Sequence, residues 1–209
     1  MYLPKHFEQY DRVVLAEAMH AHPLATLIVT TTEGPTADLV PLVLHPQIGQ
    51  HGTLRGHVAR ANPLWRATGT TALAVFQGPQ AYVSPNWYPS KREHGKVVPT
   101  WNYTMVQARG TLQAIEDAPW VHALVTQLTD RHELSQAAPW AVNDAPADYV
   151  QQMLCAIVGI EITLTSLVGK WKVSQNRSPT DRAGVAVGLA ASAHEDERAM
   201  AALVRGLSA

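Results

Sequence analysis

The chain has 209 residues, of which 46% are hydrophobic and 16% charged, so it can fill a core without cross-links, and disordered and fibrous classes are excluded. Sixteen Lys and Arg against seventeen Asp and Glu leave a formal net charge of −1, which offers no global footprint for a polyanion such as nucleic acid. The single cysteine, Cys155, rules out an internal disulfide.

DRVVLAEAMHA (11–21) reads as a short helix, with Asp11 as N-cap and Pro23 beyond its end. LATLIVTTT (24–32) and TADLVPLVLH (36–45) are β-rich runs joined by a Glu33-Gly34-Pro35 turn. Pro41 assigns the second run to an edge or a bulge, because proline gives the ladder no N–H. TLRGHV (53–58) is a further strand and ARANPLWRAT (59–68) a short helix. TALAVFQ (71–77) and QAYVSP (80–85) read as strands on either side of Gly78-Pro79. PNWYPSKREHGKVV (85–98) is a long connection with no structure of its own, a kind of loop that is usually functional or mobile. Residues 99–115 form one long strand broken at Gly110. Residues 119–135 and 146–155 are helical, and 156–173 return to β. Two helices close the chain, each with a capping-box signature: Ser178-Pro179-Thr180-Asp181, then Ser192 with Glu195.

About seven short strands with hairpin-length links predict an antiparallel barrel rather than a βαβ sheet. The expected fold class is mainly β with flanking helices (α+β). We expect one domain over 1–209, with a helical insertion at about 116–155 and C-terminal helices at about 179–206. No apolar run approaches the roughly 20 residues of a membrane span, and MYLPKHFEQYD carries no secretory pattern, so a cytoplasmic location is expected.

GxGxxG, Walker, HExxH, CxxC and GxSxG motifs are all missing. The ten histidines lack metal-ligand spacing, so no metal is expected, and Cys155 reads as a small buried hydrophobe. Three stretches remain. In LRGHVARANP and up to Arg66, Arg55, Arg60 and Arg66 face no acid within 53–66. A strand running into a helix start with His57, Arg60 and Asn62 would suit a phosphate. YVSPNWY (82–88) and VPTWNY (98–103) place Trp87, Trp101 and Asn102 where a flat ring would find stacking area and edge donors. GKWKVSQNRSPTDR (169–182) gathers Lys170, Lys172, Gln175 and Asn176 with no acid until Asp181. The stretch 116–148 is acidic by contrast and reads as a solvated face.

MYLPKHF, GHVARANP, GPQAYVSPNWY, VPTWNY and GKWKVSQNRS together resemble the PaiB family, described as FMN-binding negative transcriptional regulators. The resemblance runs from residue 1 to about 190. It implies an FMN-binding split β-barrel like that of pyridoxamine-phosphate oxidase. It also implies a homodimer with pockets between subunits and a flavin phosphate near His57 to Asn62, where Arg60 and Asn62 match. The family's regulatory label leaves chemistry open, so an FMN sensor or regulator stands beside a flavin-dependent reductase or oxidase, with haem binding ranked last. Direct DNA binding is not expected of the last helix, since Glu195, Asp196 and Glu197 would meet phosphates with negative charge.

Overall fold

In the computed structural model of this protein, which describes residues 1–206, the chain opens with a short strand β1 (Glu8–Gln9) and helix α1 (Arg12–Ala21). Asp11 starts α1 as expected. Its Oδ1 accepts the N–H groups of Val13 and Val14 at 2.8 and 3.4 Å. The last three residues of the expected 1–209 domain lie outside the described residues.

Strand β2 (Leu24–Thr31) buries Ala25, Leu27 and Val29, every second residue, against the core. The run 36–45 is two strands rather than one: β3 (Gly34–Pro41) and β4 (Val43–His45). Pro41 ends the first. After it the chain bends, and the Leu42 N–H donates to the Pro23 carbonyl at 2.9 Å. Strand β5 (Thr53–Ala59) follows, but residues 59–68 are not a helix; only a 3₁₀ turn, Pro63–Ala67, forms there. Gly78-Pro79 does not interrupt β6, which runs unbroken over Thr71–Val83. Pairing with β2 covers only Ala72–Val75, so Pro79 withholds no bond from that neighbour.

The expected unstructured connection after β6 contains a 3₁₀ turn (Pro85–Trp87) and a short helix α2 (Ser90–His94). Gly95, at φ +67°, closes α2 by donating to the Lys91 carbonyl at 3.1 Å. Strand β7 (Thr100–Ile115) is likewise continuous through Gly110. A Cβ at Gly110 would run into the Thr163 carbonyl, so the glycine permits close backbone approach instead of breaking the strand.

The helical insertion is α3 (Ala118–Glu133), capped by Asp117, and α4 (Ala147–Cys155). Cys155, expected to be buried, is exposed at the end of α4. Strand β8 (Ile157–Lys172) leads to α5 (Pro179–Ala190) and α6 (Glu195–Arg205). Ser178 caps α5 through its Oγ, which accepts the Asp181 N–H at 3.2 Å. Ser178→Ala is therefore expected to cost about 1 kcal/mol in a urea titration. The second capping box does not form. His194 precedes α6 without a side-chain bond, and Ser192 Oγ accepts the His194 N–H instead.

The strands pair in the order β3-β2-β6-β7-β8-β5-β4, with β1 added to β8. The pairings β1–β8, β2–β3, β2–β6, β4–β5 and β5–β8 are antiparallel. The two ends of this path, β3 and β4, are neighbours in the chain, and Gly56 of β5 passes so near Pro41 that a Cβ would lie 2.7 Å from its carbonyl. The two ends of the path are thereby brought close together, as the strands of a split barrel are.

Two compact units emerge. One holds Met1–Ala18, Gln77–Val106 and the chain from Val168 on; the other holds Met19–Phe76 and Gln107–Leu167. In the first, Val83, Tyr88, Val173, Val185, Leu189 and Met200 form the core beneath α5 and α6. In the second, Leu27, Leu54, Leu112, Ile160 and Ile162 are fully buried, and Gly159 makes room for the Trp120 ring of α3.

Candidate functional site

At the C-terminal end of β8, alternation places Lys170 and Lys172 on one face of the strand, two residues apart. Lys170 is buried. Its Nζ donates to the Tyr2 carbonyl at 3.1 Å and lies 5.3 Å from the centre of the Tyr103 ring and 5.6 Å from that of Tyr2. Lys172 Nζ donates to Thr100 Oγ1 at 2.5 Å and to the Trp101 carbonyl at 2.6 Å. Arg177 sits 4.8 Å over the Tyr88 ring. None of the three is paired with a carboxylate: among the described residues the salt bridges are Arg55–Glu161 and Arg60–Glu116. Asp181, the acid expected to end the basic stretch, accepts instead from the N–H and Oγ of Ser90.

This crowding of positive charge has an electrostatic signature. Burial, then the neighbouring Lys170 and Arg177, push the Lys172 ammonium below the usual lysine range. The Tyr88 hydroxyl is buried without a hydrogen-bond partner, and burial raises its pKa while Arg177 opposes the rise.

The turn carrying these cations is tightly held. Ser174 has φ +70°, the sole non-glycine with positive φ among the described residues. Its Oγ accepts from Asn102 Nδ2 at 2.9 Å, and both residues are buried. Gln175 is turned inward: Oε1 accepts the Val173 N–H at 2.8 Å and Nε2 donates to the Trp171 carbonyl. Asn176 is exposed. Trp101 is 54% exposed and meets the Tyr82 ring edge-on at 6.0 Å. Trp87 is half-buried, with its indole packed on Gly188 of α5.

Lys170, Lys172, Gln175, Asn176, Trp101, Asn102 and Trp87 thus belong to the first unit, whereas His57, Arg60 and Asn62 belong to the second. Two of the three arginines of the 53–66 stretch are less free than their local sequence implies. Arg55 bonds Glu161 at 2.7 Å, and Arg60 bonds Glu116 at 2.5 Å and the Cys155 and Ile157 carbonyls at 2.8 and 3.2 Å. Asn62 Oδ1 caps the following turn by accepting the Leu64 N–H at 2.8 Å, and Nδ2 donates to Asp38 at 3.0 Å. His57 has its Nδ1 sealed from solvent and unbonded, and burial lowers its pKa.

Sequence reasoning left Tyr103 and Arg177 out of the candidate set. Strand alternation carries the signal for Tyr103: it shares a face with Trp101, and Asn102 points the other way into the core. No groups of three or more His, Cys, Asp or Glu with metal-binding geometry occur among the described residues.

Residues 1–166 match a family model described as "Putative FMN-binding domain". An uncharacterized protein of Emericella nidulans is 32% identical over 98% of this chain and 96% of its own length. "Protease synthase and sporulation protein PAI 2" of Bacillus subtilis is 30% identical over the same shares, 98% and 96%. Among solved structures, the flavocytochrome Anf3 of Azotobacter vinelandii superimposes with a TM-score of 0.60 at 13% identity, covering 87% of this chain and 78% of that one. The two relatives, unlike the family model, extend across the lysine-rich turn.

Proposed function

Since this chain belongs to the PaiB family of FMN-binding domains and has the flavin-binding split-β-barrel fold, we propose that it binds FMN as a homodimer and uses the flavin as ligand or redox sensor, in the manner of a negative transcriptional regulator. The observation that carries this reading is the set of three cations, Lys170, Lys172 and Arg177, none of which has a carboxylate partner among the described residues. Lys170 is buried, and Lys172 and Arg177 are half-buried. A buried charge without a counter-charge costs on the order of several kcal/mol, and a phosphate dianion would offset that cost at Lys170. In this reading Lys170 and Lys172 take the phosphate, and the open faces of Trp101 and Tyr82 border the ring. Asn102 and Gln175 hold the turn, leaving Asn176 free to meet a ring edge. Arg60 already has acceptors, so a phosphate contact there would have to displace Glu116.

FMN, when bound, supplies hydride and single-electron chemistry, so a flavin-dependent reductase or oxidase is the competing function. A cytoplasmic location fits the lone cysteine. No helix among the described residues is long and apolar enough to cross a membrane. DNA contact by α6 is disfavoured by its acidic first turn.

The test is a titration of the purified protein with FMN and riboflavin, read by flavin fluorescence, and by NAD(P)H oxidation once loaded. We expect FMN to bind at least about tenfold tighter than riboflavin, the loss of one charge-assisted contact being worth about 1.5–3 kcal/mol. Equal affinity would remove the phosphate assignment, and rapid turnover would favour the enzyme. Light scattering should return about twice the 22.8-kDa chain mass. A monomer at micromolar concentration would defeat the dimer.

A further inference from the structure

The second unit contains a concavity of about 300 Å³ that the flavin reading does not use. It is walled by α3, α4, the segment around 140–145 and the start of β8, and every lining residue lies within this unit. That volume is roughly ten waters' worth of liquid, at the low end of small-molecule sites.

Its chemistry is one-sided. Val125, Trp140, Val150, Met153 and Ile157 supply most of the wall, and no Asp, Glu, Lys or Arg lines it. The polar contributors are uncharged: Thr129, the Tyr149 hydroxyl, and His57, whose sealed Nδ1 would be stranded as a buried N–H⁺ if the ring were protonated. On α4, Tyr149, Val150, Met153 and Leu154 form one stripe at i, i+1, i+4 and i+5. Leu154 is buried, yet Tyr149 and Met153 remain 52% and 40% exposed at the rim, as does Trp140 at 47%. The stripe is only half covered by its own chain.

The wall is also built in advance. Glu133 Oε2 accepts the Trp140 N–H at 3.0 Å, and Asp144 Oδ2 accepts the Ala141 N–H at 2.9 Å. These two bonds tie the 133–145 connection into a fixed turn, so the cavity does not require a ligand to assemble it. Water filling it would find few polar partners.

We propose that this cavity is a second ligand site, which takes an uncharged, mainly apolar small molecule of one or two ring systems. Ring area would lie against Trp140 and Tyr149, and Met153, a flexible thioether, would adapt to its outline. A charged ligand finds no counter-charge on any wall and would lose its hydration without return.

The test compares two dyes with one ring framework on the full chain. N-phenyl-1-naphthylamine is uncharged; 8-anilino-1-naphthalenesulfonate adds a sulfonate. We expect saturable, one-to-one enhancement of fluorescence with the first and at least tenfold weaker binding of the second. Val150→Trp, which fills the cavity, should weaken the neutral dye at least tenfold while FMN affinity and the far-ultraviolet spectrum stay unchanged. If that variant fails to fold, Ala145→Phe at the opposite wall serves the same purpose. Preference for the sulfonate, or neutral-dye binding indifferent to both fillings, would overturn the proposal. So would exclusion of the neutral dye combined with a fall in particle mass on filling, since the wall would then be covered by a second copy of the chain.

Discussion

Lys172→Met is expected to weaken FMN by about tenfold or more while changing riboflavin by less than about twofold, because only FMN carries the phosphate that the ammonium would clasp. Lys172 Nζ already donates to Thr100 Oγ1 and the Trp101 carbonyl, which fixes its position and leaves one N–H for a ligand. The same substitution has a pH signature in the ligand-free protein. Lys172 loses its proton more readily when folded than its ordinary value of 10.5, owing to burial, Lys170 and Arg177. The unfolded chain therefore binds more protons, and stability rises with pH across the window from the depressed value up to 10.5. Below that window the cost of the charge is carried in full; above it the cost is gone. Urea midpoints of the wild type should rise relative to those of Lys172→Met as pH climbs through this range, and FMN affinity should fall as the ammonium is lost. Parallel pH profiles for the two proteins would show that Lys172 is an ordinary solvated lysine. An equal effect on both flavins would make it a structural residue.

The largest stability effect is expected at Gly184. With Gly188 it forms an i, i+4 glycine pair on α5 that lets the helix lie directly on the 85–89 segment. A Cβ on Gly184 would strike the Trp87 carbonyl, with Pro89 Cδ only 3.2 Å away; one on Gly188 would strike the Trp87 indole, 2.5 Å from Cε2. Alanine gains about 1 kcal/mol in helix propensity over glycine, but overpacking against backbone costs about 3 kcal/mol, so destabilisation wins. The two sites differ in how they can be relieved. Trp87→Ala removes the obstacle at Gly188 and should recover part of the loss in Gly188→Ala, a coupling of about 1 kcal/mol or more. It leaves the carbonyl in place and should not rescue Gly184→Ala. A neutral or stabilising Gly184→Ala in urea unfolding would contradict this packing of α5.

Much of the secondary structure was determined by local sequence alone. Asp11 and Ser178 announce their helices because an N-cap needs only a side-chain oxygen two or three residues before the N–H that it accepts. The alternation in 24–31 likewise specifies a half-buried strand. The motifs spread from MYLPKHF to GKWKVSQNRS were enough to place the chain in its family, and with it the fold. Local reading failed wherever a distant partner decided. Gly78-Pro79 and Gly110 look like punctuation, yet β6 and β7 run through them, because no β2 bond is demanded of Pro79 and the Thr163 backbone needs the room at Gly110. Arg55 and Arg60 look unopposed until Glu161 and Glu116, 106 and 56 residues away, are brought to them. Lys170 and Lys172 have no acid near them in sequence, and among the described residues the fold brings them none. Charge balance is a property of neighbours in space, and in an antiparallel barrel most neighbours come from remote strands, so tertiary structure alone separated the cations that are already paired from those that still lack a counter-charge.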